Sequence, residues 1–224
     1  MGNAIGQVID HGVGIAISPA ALVAMIVILT SRRGRPNGLA FALGWSTAIG
    51  VTVAALIVFN GYAAAHRDGT VNPWVFWVKG ALGIALLLLA ARQFRLSLGR
   101  SPRVVLPARL RDVNGLTPQA CLLLGATIAL ANPKNVTQII SASVTVAGVT
   151  PGHGERAVAA AVFVAIASLC VLIPLTLHLA DDSRASATLR AWRRWTDRNN
   201  SAIMAVLFLV LGARSLGAAI SGLA

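Results

Sequence analysis

The chain has 224 residues, of which 56% are apolar and only 12% charged, with a mean hydropathy of +0.75. Soluble domains carry about 25% charged residues, so a soluble globular fold is excluded and an all-α polytopic membrane protein is expected. The net charge is +12, yet the basic residues fall mostly in loops between long apolar runs, which points to membrane topology and anionic headgroups rather than to nucleic acid.

The predicted elements, in chain order, are six transmembrane helices at residues 8–30, 39–62, 74–91, 119–147, 156–180 and 201–220. These runs are too long and too continuously apolar for the alternating strands of a membrane barrel. The first span is interrupted near its middle by Ile17-Ser18-Pro19-Ala20. Ser18 is a good N-cap and Pro19 is pre-organised for the next position, so a helix restarts there. The loop that follows carries Arg32, Arg33 and Arg35. The second loop has only Arg67 with Asp68, and Trp74 and Trp77 open the third span as interfacial anchors. The third loop holds Arg92, Arg95, Arg100, Arg103, Arg109 and Arg111 against Asp112.

The fourth span is interrupted as the first is, by Ala131-Asn132-Pro133-Lys134. The fourth loop has only Glu155 with Arg156. The fifth combines Arg184, Arg190, Arg193, Arg194 and Arg198 with Asp181, Asp182 and Asp197. Trp192, Arg193, Arg194 and Trp195 there suit a short helix lying on the headgroups of the inner leaflet. Odd loops are basic and even loops neutral, which places odd loops in the cytoplasm and both termini outside a bacterial plasma membrane. The first apolar run continues far past a signal-peptide core and lacks a basic start, so no cleavable signal is expected.

Pro19 and Pro133 occupy corresponding places in two halves, 1–112 and 113–224 of a single transmembrane domain. The third span of each half ends similarly, Leu87-Leu88-Leu89-Ala90-Ala91-Arg92 and Leu209-Val210-Leu211-Gly212-Ala213-Arg214. Three spans per half require opposite topology. The expectation is two inverted three-helix repeats with proline-broken helices 1 and 4 and a site between the breaks.

Lys134 is the outlier of that site. A Lys at mid-span costs about 2.5–3.5 kcal/mol on the insertion scale and needs a partner or a wet cavity. It lies in the first turn of a restarted helix, where the dipole is already positive, so the arrangement favours a negative group. The competing role is a structural contact to backbone carbonyls of a broken helix. The candidate substrate-binding residues are Ser18, Pro19, Asn132, Pro133, Lys134, Asn135 and Gln138. Ser141 and Thr145 continue the face of Lys134 and Gln138 as a candidate substrate path or as inter-helix hydrogen-bonding groups.

No carboxylate lies well inside a span, and His11 and His178 are single and near span ends, so metal ligation and proton pumping are disfavoured. Cys121 and Cys170 form no CxxC and read as small core residues. There is no Walker motif, no Ser-His-Asp set and no metal-spaced cluster. No catalysis, metal or cofactor is expected.

Gly14-Ile15-Ala16-Ile17-Ser18-Pro19, Arg32-Arg33-Gly34-Arg35-Pro36-Asn37-Gly38, Phe41-Ala42-Leu43-Gly44-Trp45 and Ala131-Asn132-Pro133-Lys134-Asn135 together resemble the mycobacterial GAP family. These are glycolipid- or sulfolipid-addressing membrane proteins of the LysE-type exporter superfamily. The resemblance covers essentially the whole chain. It implies a six-helix plasma-membrane protein that helps move envelope glycolipids toward the surface, with a lipid synthase or large lipid exporter as partner. It leaves the oligomeric state open, a dimer included. The Asn-Pro-Lys is shared with amino-acid exporters, which keeps export of a small amphiphile as an alternative. Ser-Pro at the first break departs from the Pro-Gly-Pro often seen in those exporters. A non-transporting scaffold for lipid machinery is the third reading.

Overall fold

A computed structural model describes residues 2–65, 74–99, 115–149, 152–180 and 182–223. Among the described residues the regular structure is helical: α1 (Gly2–Ala16), α2 (Pro19–Leu29), α3 (Gly34–Ala65), α4 (Trp74–Ser97), α5 (Pro118–Ala131), α6 (Pro133–Val149), α7 (His153–Ala167), α8 (Leu169–Ala180) and α9 (Asp182–Leu223). Arg67 and Asp68, the basic residues between 100 and 112, Pro151 and Asp181 lie outside the described residues.

The two proline breaks form where the sequence places them. α1 gives way to α2 at Ile17-Ser18, with Pro19 opening the new helix. α5 gives way to α6 at Asn132, with Pro133 opening the new helix. A third break has no counterpart among the expectations. The fifth span divides at Ser168 into α7 and α8, bent by 62°, more than the 53° between α1 and α2. Pro174 sits inside α8. Its ring crowds the carbonyl four residues back, that of Cys170, which weakens the helix just past the break.

α3 (Gly34–Phe59) and α9 (Ala187–Ser221) contain stretches long and apolar enough to cross a membrane; counting each bent pair as one span raises these two to four. The apolar face expected of such helices is present: on α3, Leu43, Val51, Val58 and Phe59 are each at least 60% exposed. α6 carries Lys134, Asn135 and Gln138 in its first two turns and is less apolar than α1–α3, α5, α7 and α8. The stretch around Trp192, Arg193, Arg194 and Trp195, expected as a separate short helix, is part of α9, whose 42 residues run unbroken from Asp182 to Leu223.

The contacts divide the chain into two compact units, each drawing on both halves of the sequence. The larger holds α1–α3, α5–α8 and α9 as far as Arg193. Within it α3 packs along α5 with little side-chain material between them. A Cβ on Gly44 would meet the backbone of Leu122, and one on Gly125 the backbone of Phe41 and Trp45. Small residues that let backbones approach drive helix packing where water is absent. α6 and α7 pack against α1, and α8 against α2. The smaller unit is formed by α4 and the rest of α9. There Gly83 and Gly212 bring the two helices together, since a Cβ on Gly212 would lie 3.0 Å from the Gly83 oxygen.

Candidate functional site

Helix ends expose carbonyls that have lost their partners four residues on. In hydrocarbon such groups must be satisfied by protein. At each of the three breaks in the larger unit a side chain does this.

At the first break the donor is Lys134. Its side chain is 1% exposed. Nζ donates to the carbonyl of Gly14 at 2.5 Å and to that of Ile17 at 2.8 Å. A cation at the end of α1 also complements that helix's dipole. This is the structural contact that competes with an anion site. An ammonium has three N–H donors, and these bonds use two. At the second break Asn132 Oδ1 accepts from the Lys134 backbone N–H at 3.0 Å and so caps α6. Asn135 turns back and donates from Nδ2 to the Ala129 carbonyl of α5 at 3.0 Å. At the third break Trp45 of α3 donates from Nε1 to the Ala167 carbonyl at 3.2 Å. The Ser46 and Ser168 hydroxyls pair at 2.9 Å.

Lys134 joins the first two breaks directly. Cys170, two residues past the third, is buried. Across the α1–α6 contact, His11 Nδ1 and Gln138 Oε1 are 2.6 Å apart and both residues are buried. Gly14 makes room for Gln138, whose Nε2 would lie 2.9 Å from a Cβ placed there.

Two polar atoms at the first two breaks have no partner among the described residues. Ser18 occupies the N-cap position of α2, but its side chain makes no capping bond. Its Oγ is buried and unsatisfied, as is Asn135 Oδ1. Ser18 is 3% exposed and Asn135 0%. A buried polar group without a partner costs about 1–3 kcal/mol; Asn37 Oδ1, Gln93 Oε1 and Ser201 Oγ elsewhere in the molecule are in the same state.

The other residues expected at the site are spread more widely. Pro19 is buried and Pro133 exposed. Lys134 and Gln138 are buried, whereas Ser141 and Thr145 are half-buried. The buried line of α6 continues instead through Ile139, Ala142 and Val146. Trp192 and Trp195 are 37% and 56% exposed, Arg194 is exposed and Arg193 half-buried. Sequence reading missed Trp45, Ser46, Ser168 and Cys170 at the third break. Pro174, six residues on and inside α8, does not mark the break itself.

A model of the family described as Sap, sulfolipid-1-addressing protein, matches residues 8–221. No curated protein and no solved structure matches the chain.

Proposed function

Because the chain belongs to the sulfolipid-1-addressing protein family, we propose that it is a plasma-membrane transporter, or transport accessory, that moves an envelope glycolipid toward the cell surface. In this reading the chain crosses the membrane six times as two inverted halves. Its basic loops are cytoplasmic, and a lipid synthase or large exporter hands over or receives the lipid. The polar headgroup engages the junction of the first two helix breaks while the acyl chains stay in the bilayer.

The observation that carries this is the pair of orphaned buried atoms, Ser18 Oγ and Asn135 Oδ1, flanking the Lys134 contacts. The set combines an acceptor, a hydroxyl that can donate or accept, and the remaining ammonium N–H. A hydroxylated headgroup offers donors and acceptors together and can satisfy all of them. A bare carboxylate, acceptor-only, would leave Asn135 Oδ1 unmet.

The test is the surface-extractable and total envelope lipid of a deletion strain complemented with wild type or Ser18→Ala. Removing an orphaned hydroxyl should leave stability unchanged or slightly higher. The expected result is that one glycolipid leaves the surface but stays in the total pool in the deletion, and that Ser18→Ala restores it only partly. Full restoration by Ser18→Ala would overturn the headgroup site. The scaffold reading gains from one observation, the use of Lys134 by two backbone carbonyls. It requires a normal lipid profile with Ser18→Ala and loss of partner retention when Trp192 and Trp195 are replaced by Ala.

A further inference from the structure

Close approaches at small residues tie the helices of the larger unit into two groups. In the first, a Cβ on Gly12 of α1 would lie 2.9 Å from Ile166 Cγ2 and 3.4 Å from the Phe163 oxygen of α7. One on Gly14 would lie 2.9 Å from Gln138 Nε2 of α6, and His11 bonds the same side chain. α1, α6 and α7 thus pack on one another. In the second, Gly44 and Gly125 bring the backbones of α3 and α5 together. A Cβ on Gly38 of α3 would lie 2.6 Å from Leu29 Cδ2 of α2 and 3.2 Å from Leu175 Cδ1 of α8. α2, α3, α5 and α8 form this second group.

The boundary between the groups follows the three breaks. Gly12 stands beside Phe163 and Ile166, and Gly34 beside His178, so the two bent spans run in parallel. Between those contacts one span breaks at Ile17-Ser18 and its neighbour at Ser168. α6 runs the opposite way, since Gln138 meets His11 and Lys134 meets Ile17, and this sets the break at Asn132 beside the first. Three side-chain links cross the boundary: Asn135 to the Ala129 carbonyl, Trp45 to the Ala167 carbonyl, and Ser46 with Ser168. α3 passes it unbroken and packs on α6 and α7 as well. There a Cβ on Gly50 would be in ordinary contact with Val164, at 3.7 Å, without the backbone interlock of Gly44. Apart from isolated contacts and the chain at the breaks, no other helix pair joins the groups among the described residues.

We propose that α1, α6 and α7 move as one body against α2, α3, α5 and α8. The three breaks are the hinges, and the Trp45–Ala167 and Ser46–Ser168 bonds are the latch that holds the present arrangement. Helices in ordinary side-chain contact slide by small shear steps, whereas interlocked backbones move together. A break is where a hinge costs least, because the backbone hydrogen bonds that a rotation would disturb are already missing there. Lys134 travels with α1, whose end it bonds. Ser18 opens α2 and stays with the second body, while Asn135 of α6 moves with the first. On the headgroup reading above, a ligand that touches both joins the two bodies.

Distances between spin labels on the full chain in phosphatidylcholine nanodiscs test this, with both buried cysteines replaced by Ala. Gly6→Cys and Gly154→Cys place two labels within the moving body, where an added side chain meets nothing within 4 Å. Gly154→Cys and Leu179→Cys place them on opposite bodies, at exposed positions. The wild-type latch should give one dominant maximum for each pair. Trp45→Phe/Ser46→Ala removes the latch and should raise the second arrangement by roughly tenfold or more, as a second maximum for the Gly154–Leu179 pair alone. Trp45→Phe by itself serves if the double variant does not fold, with a smaller second maximum. An unmoved single maximum for the Gly154–Leu179 pair in the variant that folds would overturn the proposal. Equal broadening of both pairs would overturn it too, because it marks unfolding rather than a hinge. No lipid substrate enters this measurement, so a failed headgroup test leaves the hinge standing, and a failed hinge leaves the headgroup site untouched.

Discussion

The two units of the molecule solve the same problem differently. In the smaller, α4 and the later part of α9 run unbroken, satisfy their backbones internally and meet through Gly83 and Gly212. In the larger, the helical path breaks three times; the first and third breaks are mended by side chains more than a hundred residues away, Lys134 and Trp45, and the second by Asn135 at the break itself. A continuous helix needs nothing from its neighbours but shape. A broken one needs donors at specified places, which makes its packing specific and gives it polar atoms to offer a ligand.

The sharpest way to break that contrast is Lys134→Met. It keeps the chain length and removes two charged hydrogen bonds worth about 1.5–3 kcal/mol each, so roughly 3–6 kcal/mol should be lost. The larger unit should then fail to give a monodisperse peak in detergent. If the melting temperature hardly moves, Lys134 is not what holds the first break.

Next come the close approaches between helices. Gly125→Leu pushes a side chain into the backbone of α3 and should cost about 1–3 kcal/mol by overpacking. Gly212→Leu in the smaller unit meets Leu87, a flexible side chain, as well as the Gly83 oxygen, and should cost less. Melting curves of the two variants compare them directly; a larger loss for Gly212→Leu would reverse the ranking of the two helix pairs.

Trp45→Phe keeps the ring and orphans the Ala167 carbonyl, for about 1–3 kcal/mol. Hydrogen exchange at the start of α8 should rise in this variant while α1 stays protected. Uniform exchange would mean that the third break is held by packing alone. The smallest effect is Ser168→Ala, which removes one hydroxyl pair between helices, worth about 0.6 kcal/mol in membrane bundles.

Local rules carried much of the fold. Pro19 and Pro133 forced two breaks because proline has no N–H and starts helices well. The long apolar runs of α3 and α9 required helices, because only internal hydrogen bonding satisfies a backbone in hydrocarbon. Lys134 was conspicuous from its cost alone. The break at Ser168 was not legible: no proline or glycine marks the residue itself, and Pro174 lies six positions on. What keeps it open comes from Trp45 and Ser46, more than a hundred residues earlier in the chain.

The amino-acid sequence by itself therefore determined the membrane class, the helical state, two of the breaks and the identity of the buried cation. All of these follow from the cost of placing particular groups in an apolar medium. The tertiary structure decided which carbonyls that cation serves, that a third break forms at Ser168, that Ser18 and Asn135 keep atoms without partners among the described residues, and that arginines from separate segments line one cavity. Those are properties of distance between residues far apart in the chain, and spacing along a sequence carries no information about them until the helices pack.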